Sequence, residues 1–323
     1  MKTADKLADR IVSGDRLAIA KGISIIENNR VEKEELVTRL YRNIGSAHRI
    51  GITGPPGVGK STLTLQLAKA YRDNGKTVGI VAVDPTSPFT GGALLGDRIR
   101  MTELFNDPGV FIRSMATRGS MGGLTVAANE AADLLDAAGK SVVIFETVGI
   151  GQTELDIAEA CDTVLLVLAP ESGDGVQAMK AGFMEIADIF VVNKSDREGA
   201  DKTVIEINTV LSLRKRAEWE IPVLQTIASE NRGIDDVFRK IQDHFEYLNK
   251  NDLLDLRRKE RLIQQVRSIV RNMIRSTLWS EYRIERLHRI VENAKNERSP
   301  YSIAYALVEE FIASLGNGTN TGK

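Results

Sequence analysis

Residues 49–62 read Arg49-Ile50-Gly51-Ile52-Thr53-Gly54-Pro55-Pro56-Gly57-Val58-Gly59-Lys60-Ser61-Thr62, and this stretch decides the fold. A β-rich run ends at Thr53 and a helical pattern opens at Ser61, with G-x-x-x-x-G-K-[ST] complete between Gly54 and Ser61. Glycines let successive backbone N–H groups curl around phosphate oxygens, and the helix N-terminus behind them favours negative charge. Gly54, Pro55, Pro56, Gly57, Val58 and Gly59 then form the cradle, with Thr62 at its helical end. The Lys60 ammonium reaches the β- and γ-phosphates of a nucleotide, and the Ser61 hydroxyl is a ligand for Mg²⁺.

Outward from this loop the chain alternates short apolar runs with longer helical patterns. The runs are Arg49–Thr53, Thr77–Val83, Val110–Ser114, Ser141–Phe145, Thr163–Leu168, Ile186–Val192 and Val223–Ile227. Several are apolar almost throughout, as in strands covered on both faces of a parallel sheet. Helical patterns over Ser61–Arg72, Leu124–Ala138 and Ile234–Tyr247 lie between or after them. The expected fold class is α/β, a doubly wound, mostly parallel sheet with N- and C-terminal helical extensions.

Carboxyl ends of parallel strands are where ligands bind in such sheets. Asp84 ends one run and Glu146 another, while Asp97 follows the Gly- and Pro-containing stretch 85–96. These are the expected Mg²⁺ carboxylates beside Ser61, since Mg²⁺ takes hard oxygen ligands near phosphates. Gly149 of Glu146-Thr147-Val148-Gly149 can donate its backbone N–H to a γ-phosphate. A water-positioning glutamine would follow that glycine directly. Ile150 stands there and Gln152 is displaced by two residues, so hydrolysis by the chain alone is expected to be slow.

Asn193-Lys194-Ser195-Asp196 follows the apolar run ending at Val192. In N-K-x-D the aspartate accepts from guanine N1–H and the exocyclic amine, donors that adenine lacks at those places; a wrong base leaves groups unpaired. Lys194 can lie along the base, Asn193 can brace the loop or the base, and Ala228-Ser229 is placed for a backbone N–H contact to the base oxygen. The expected ligands are GTP and GDP with Mg²⁺, and the expected reaction is GTP hydrolysis, with Lys60 stabilising the transition state.

The 323 residues carry 43 Lys/Arg against 44 Asp/Glu, and no global charge points to nucleic acid or an anionic membrane. One cysteine, Cys161, and three dispersed histidines supply neither a disulfide framework nor metal-ligand spacing. The N-terminus has no apolar signal region and no run approaches the ~20 residues that span a bilayer, so a cytoplasmic location is expected. Expected divisions are 1–45, an N-terminal helical extension; 46–248, the nucleotide domain; 249–316, C-terminal helices; and 317–323, a disordered tail. Residues 250–298 hold 13 Lys/Arg against 7 Asp/Glu, read as solvated faces of amphipathic helices. Leu262, Val266, Ile269 and Met273 form a 4-3-4 seam for core or a partner helix.

With these residues in view, the sequence resembles the MeaB family, G-protein chaperones of adenosylcobalamin-dependent methylmalonyl-CoA mutase often labelled ArgK or LAO/AO transport ATPases. The resembling segments are 54–62, 83–88 through 96–101, Arg113-Ser114-Met115-Ala116-Thr117-Arg118-Gly119, 146–152 and 171–180. The resemblance implies that Ser61, Asp84, Asp97 and Glu146 group around Mg²⁺ and that 84–97 is a switch. It implies a second switch over Glu171–Lys180 that senses the client, with Asp174, Gln177 and Lys180 as its key residues. Lys180 could supply transition-state charge in place of an arginine finger. A homodimer built by terminal helices and a partner acyl-CoA mutase also follow from the resemblance. Two competing readings are a GTPase metallochaperone for a nickel enzyme, which needs Cys/His ligands this chain lacks, and a transport-linked ATPase or kinase, against which Asn193–Asp196 argues. A scaffold without catalysis would leave the phosphate loop without purpose.

Overall fold

The computed structural model describes residues 3–84, 102–116, 121–147, 159–170, 183–213, 218–293 and 299–317. Among these, seven strands form one sheet: β1 (His48–Thr53), β2 (Val78–Asp84), β3 (Val110–Ala116), β4 (Val142–Thr147), β5 (Thr163–Leu168), β6 (Ile189–Asn193) and β7 (Val223–Thr226). The order is β3-β2-β4-β1-β5-β6-β7 and every described pair is parallel. β1 is therefore central, with β4 and β5 on either side of it.

Alternation along the strands divides the core. Ile50, Ile52, Ile80, Ile144, Val167 and Val191 face helices α4 (Lys60–Asp73) and α8 (Ile234–Lys250). Val81, Val83, Phe145 and Met115 face the opposite layer. There α5 (Met121–Ala137) packs with α1 (Thr3–Val12), α2 (Arg16–Glu27) and α3 (Lys33–Leu40). The N-terminal helices thus complete the sheet's second layer, although Leu17, on the apolar pattern of α2, is exposed. Asp136 at the end of α5 fixes the entry to β1, accepting from the Gly45, Ser46 and Ala47 N–H groups. α6 (Phe183–Ile186) and α7 (Ala200–Ser212) cover the β6 side, where Phe190, Val192 and Ile207 pack.

Two sequence expectations change. The run at 186–192 is not all strand: Ile186 closes α6 and β6 begins at Ile189. Asp188 sits between them because its carboxylate accepts from Val164 N–H and from Arg257, fixing the chain before the strand can pair. The basic excess after residue 250 is also not uniformly solvated. In α9 (Leu253–Leu278), Arg257 grips Asp188, Arg261 grips Asp162, and Arg258 donates to the carbonyls of Gly45 and Ala47. These guanidinium groups cap the amino ends of β1, β5 and β6, where carbonyls and carboxylates would otherwise be buried alone.

The chain divides into two compact units, 1–263 and 264–323. The second contains the rest of α9 with α10 (Glu281–Asn293) and α11 (Pro300–Asn317), where Arg286 pairs with Glu310. Val266, Met273 and, in the first unit, Leu262 are 42–54% exposed, so most of the 4-3-4 seam is not core within this chain. No described helix is long and apolar enough to cross a membrane.

Candidate functional site

The carboxyl ends of β1, β2, β4, β6 and β7 bring the expected residues to one edge. Between β1 and α4 the loop turns at Gly54, φ 142°, and a Cβ there would lie 2.0 Å from the Val167 carbonyl oxygen of β5. Only glycine allows the loop to lie this close to a neighbouring strand. Gly59, φ 95°, opens α4, and a Cβ on it would meet Asn193 Nδ2 at 2.3 Å. Lys60 is buried, and its Nζ donates to the carbonyls of Gly54 at 2.7 Å and Pro55 at 2.8 Å. The ammonium is thus held over the concave side of the loop whose backbone it helps to curl.

Ser61 Oγ donates to Glu146 Oε1, and both side chains are buried. Glu146 is brought there by register, since it pairs with Ile52 of β1 and Ala82 of β2. The next residue, Thr147, donates its hydroxyl to Thr53 Oγ1 at 3.1 Å, joining the ends of β4 and β1. A serine hydroxyl and a carboxylate in contact, beside a phosphate loop, are the hard oxygen donors Mg²⁺ requires, so these residues fit the ion. Asp84 ends β2, the strand adjoining Glu146's own. Asp97, Gly149, Asp174, Gln177 and Lys180 lie outside the described residues.

On the other side of the loop Asn193 ends β6 and reaches two neighbours. Its Nδ2 donates to the Val58 carbonyl at 2.8 Å, while its Oδ1 accepts from Thr226 Oγ1 and Ala228 N–H, each at 3.0 Å. Lys194 takes a left-handed turn, φ 58°, closed by Ser195 N–H to the Thr226 carbonyl. This turn leaves the Asp196 side chain exposed at the same edge. Asn193 occupies the Ala228 N–H, whereas its neighbour Ser229 is exposed. The motif offered the loop and the base as alternatives for Asn193 and named none of these three partners. The Thr53–Thr147 pair had no signal beyond two threonines at strand ends.

A family model described as "Methylmalonyl Co-A mutase-associated GTPase MeaB" matches residues 19–283. The chain belongs to the MeaB family. A Pyrococcus abyssi protein named as a GTPase is 46% identical over 95% of this chain and 97% of its own length. The "Methylmalonic aciduria type A homolog, mitochondrial" of Caenorhabditis elegans is 33% identical, covering 89% of this chain and 77% of that protein. A crystal structure of an LAO/AO transport system kinase superposes with a TM-score of 0.72 at 27% identity, covering 96% and 98% of the two chains. This MeaB-family chain is accordingly a nucleotide-binding P-loop GTPase. Cys161, the one cysteine, is buried in its first unit, and burial pushes the thiol well above the ordinary range, which disfavours the thiolate that binds metals.

Proposed function

We propose that this MeaB-family GTPase is a chaperone that assists cofactor loading and protection of an adenosylcobalamin-dependent acyl-CoA mutase, methylmalonyl-CoA mutase foremost. The observation that carries the reading is the family match, which runs from residue 19 to 283 and so includes every described nucleotide residue. Lys60 meets the β- and γ-phosphates, where negative charge shifts as the terminal phosphoryl departs. The backbone of 54–59 and the hydroxyl end of α4 at Ser61 and Thr62 hold the phosphates in line. Ser61, Glu146, Asp84 and Asp97 would hold Mg²⁺, which when bound neutralises charge between the β- and γ-oxygens. Asp196 accepts from guanine, Lys194 lies along it, and Ser229 donates to its oxygen.

Gly149 donates to the γ-phosphate, and Ile150 after it cannot orient water, so turnover without a partner is slow. The mutase then acts through 171–180, with Asp174, Gln177 and Lys180 reporting γ-phosphate to the client. The copies pair through the C-terminal helices, a reading supported by exposed Val266, Val270, Ile274 and Trp279.

The test is a pull-down of methylmalonyl-CoA mutase in GTP against GDP, followed by turnover with and without the mutase. Nucleotide-dependent capture and faster hydrolysis are expected, with Lys180→Ala removing most of the stimulation while basal turnover stays near that of the parent. Capture in neither nucleotide would sink the client assignment and leave the GTPase standing.

A further inference from the structure

The row Ser114, Ala82, Glu146 and Ile52 crosses four adjacent strands in register. Residues in register across a parallel sheet share a face. Their neighbours two positions earlier, Ile80, Ile144 and Ile50, are core residues beneath α4, so this row also faces α4. Glu146 confirms the orientation by accepting from Ser61 of that helix. Among the described residues, two hydroxyls on this side have no hydrogen-bond partner, Ser114 Oγ and Thr64 Oγ1. Both residues are buried, at 8% and 0% exposure. Thr64 lies one turn along α4 from Lys60 and Ser61.

Buried hydroxyls are nearly always hydrogen-bonded, and an exception asks for a further partner. Two exceptions on the face of one metal-type carboxylate point to a shared one. Mg²⁺ dehydrates reluctantly and keeps several waters when protein-bound, and those waters need partners of their own. Adjacent strands lie about 4.8 Å apart, so Ser114 and Glu146 are separated by roughly 10 Å between Cα atoms. The residue between them, Ala82, carries only a methyl group, so no larger side chain of this row stands between them.

We propose that Ser114, aided by Thr64, receives the hydration shell of the ion held by Ser61 and Glu146, and is thereby a positioning residue for that site. This rests on the Mg²⁺ reading above. It gives a role to one residue of the 113–119 segment, which the nucleotide chemistry otherwise leaves without one.

The test is a titration of the protein–GDP complex with Mn²⁺, read by electron paramagnetic resonance, beside GDP affinity in EDTA. Ser114→Ala should bind Mn²⁺ about 10-fold more weakly, with GDP affinity in EDTA unchanged. Ser114→Thr, which keeps the hydroxyl, should restore the affinity, and Thr64→Val should weaken it in the same direction. Thr64→Val also carries the test if Ser114→Ala does not fold. A hydroxyl that is only structural would change thermal stability and leave Mn²⁺ affinity alone, which overturns the proposal. Glu146→Gln is the control. If it binds Mn²⁺ as well as the parent, the metal reading falls and this inference with it. If Glu146→Gln is weakened while Ser114→Ala and Thr64→Val are not, only the inference falls.

Discussion

Asn193 Nδ2 donates to the Val58 carbonyl at 2.8 Å, so the residue that opens the guanine motif is also a brace of the phosphate loop. The same side chain accepts from Thr226 and Ala228, joining the ends of β6 and β7 to the turn before α4. Asn193→Ala strands three buried polar groups, each worth about 1–3 kcal/mol when unsatisfied. We expect a stability loss of about 2–4 kcal/mol by urea denaturation together with weaker GDP binding. A variant that loses GDP affinity at full stability would show that Asn193 acts on the base alone.

Asp196→Ala should lose the preference for GTP over ATP by at least about 100-fold, because guanine donors are left unpaired. Competition of ATP against labelled GDP measures this. Equal ATP and GTP affinities in the parent would remove the guanine assignment.

Lys60→Ala should abolish measurable hydrolysis, since the transferring phosphoryl group loses its main cation. The parent alone should turn over far below the several per second of partner-activated GTPases. Single-turnover hydrolysis of purified protein distinguishes these outcomes.

Stability should fall on acidification between pH 6.5 and 4. Burial holds His48 down to about 4 from 6.5, with the Asp162 charge pulling the other way. Its ring lies against Phe245, with Nε2 on the Thr163 hydroxyl at 2.8 Å. In that interval the unfolded chain takes up a proton that the folded chain refuses, so stability present above pH 6.5 is lost as pH falls. The loss amounts to about 3 kcal/mol by pH 4. Asp162 and Asp188, held below the usual carboxylate range by Arg261 and by His244 with Arg257 against the cost of burial, add a further loss below pH 4. His48→Gln should flatten the first phase and leave the second. Urea midpoints at pH 7, 5.5 and 4.5 give the comparison.

Arg261→Met should cost about 3 kcal/mol, because it leaves the fully buried Asp162 carboxylate without its closest cation. Asp162→Asn added to it should recover part of that loss, since the uncompensated charge is gone. Equal midpoints for the single and double variants would mean that the pair does not hold the start of α9.

Sequence made the phosphate and guanine motifs plain because each is contiguous and follows an apolar run that only a buried parallel strand explains. The ends of β1 and β5 came within one residue for the same reason. Asp188 blurred the start of β6, since an acidic residue inside an apolar run gives no sign that an arginine 69 positions later holds it. Arg261 and Asp162 are 99 positions apart, and nothing local separates an arginine that caps a strand from one that points to water. The unpartnered Ser114 hydroxyl was hidden likewise, because its meaning comes from register with Ala82 and Glu146, strands that only the fold makes neighbours.

The central place of β1 has a consequence for how the chain is made. Ile50 pairs with Ile144 and Thr163, so β1, once it emerges from a ribosome, has both its neighbours encoded about a hundred residues later. At about 5–20 residues per second the strand waits roughly 5–20 s with its apolar faces uncovered. Helices α1–α3 wait as well, since α5, against which they pack, is translated in the same interval. Nascent chains stalled before residue 142 should therefore be protease-sensitive through the phosphate loop, and chains stalled well beyond residue 168, once β5 has cleared the exit tunnel, should resist cleavage there.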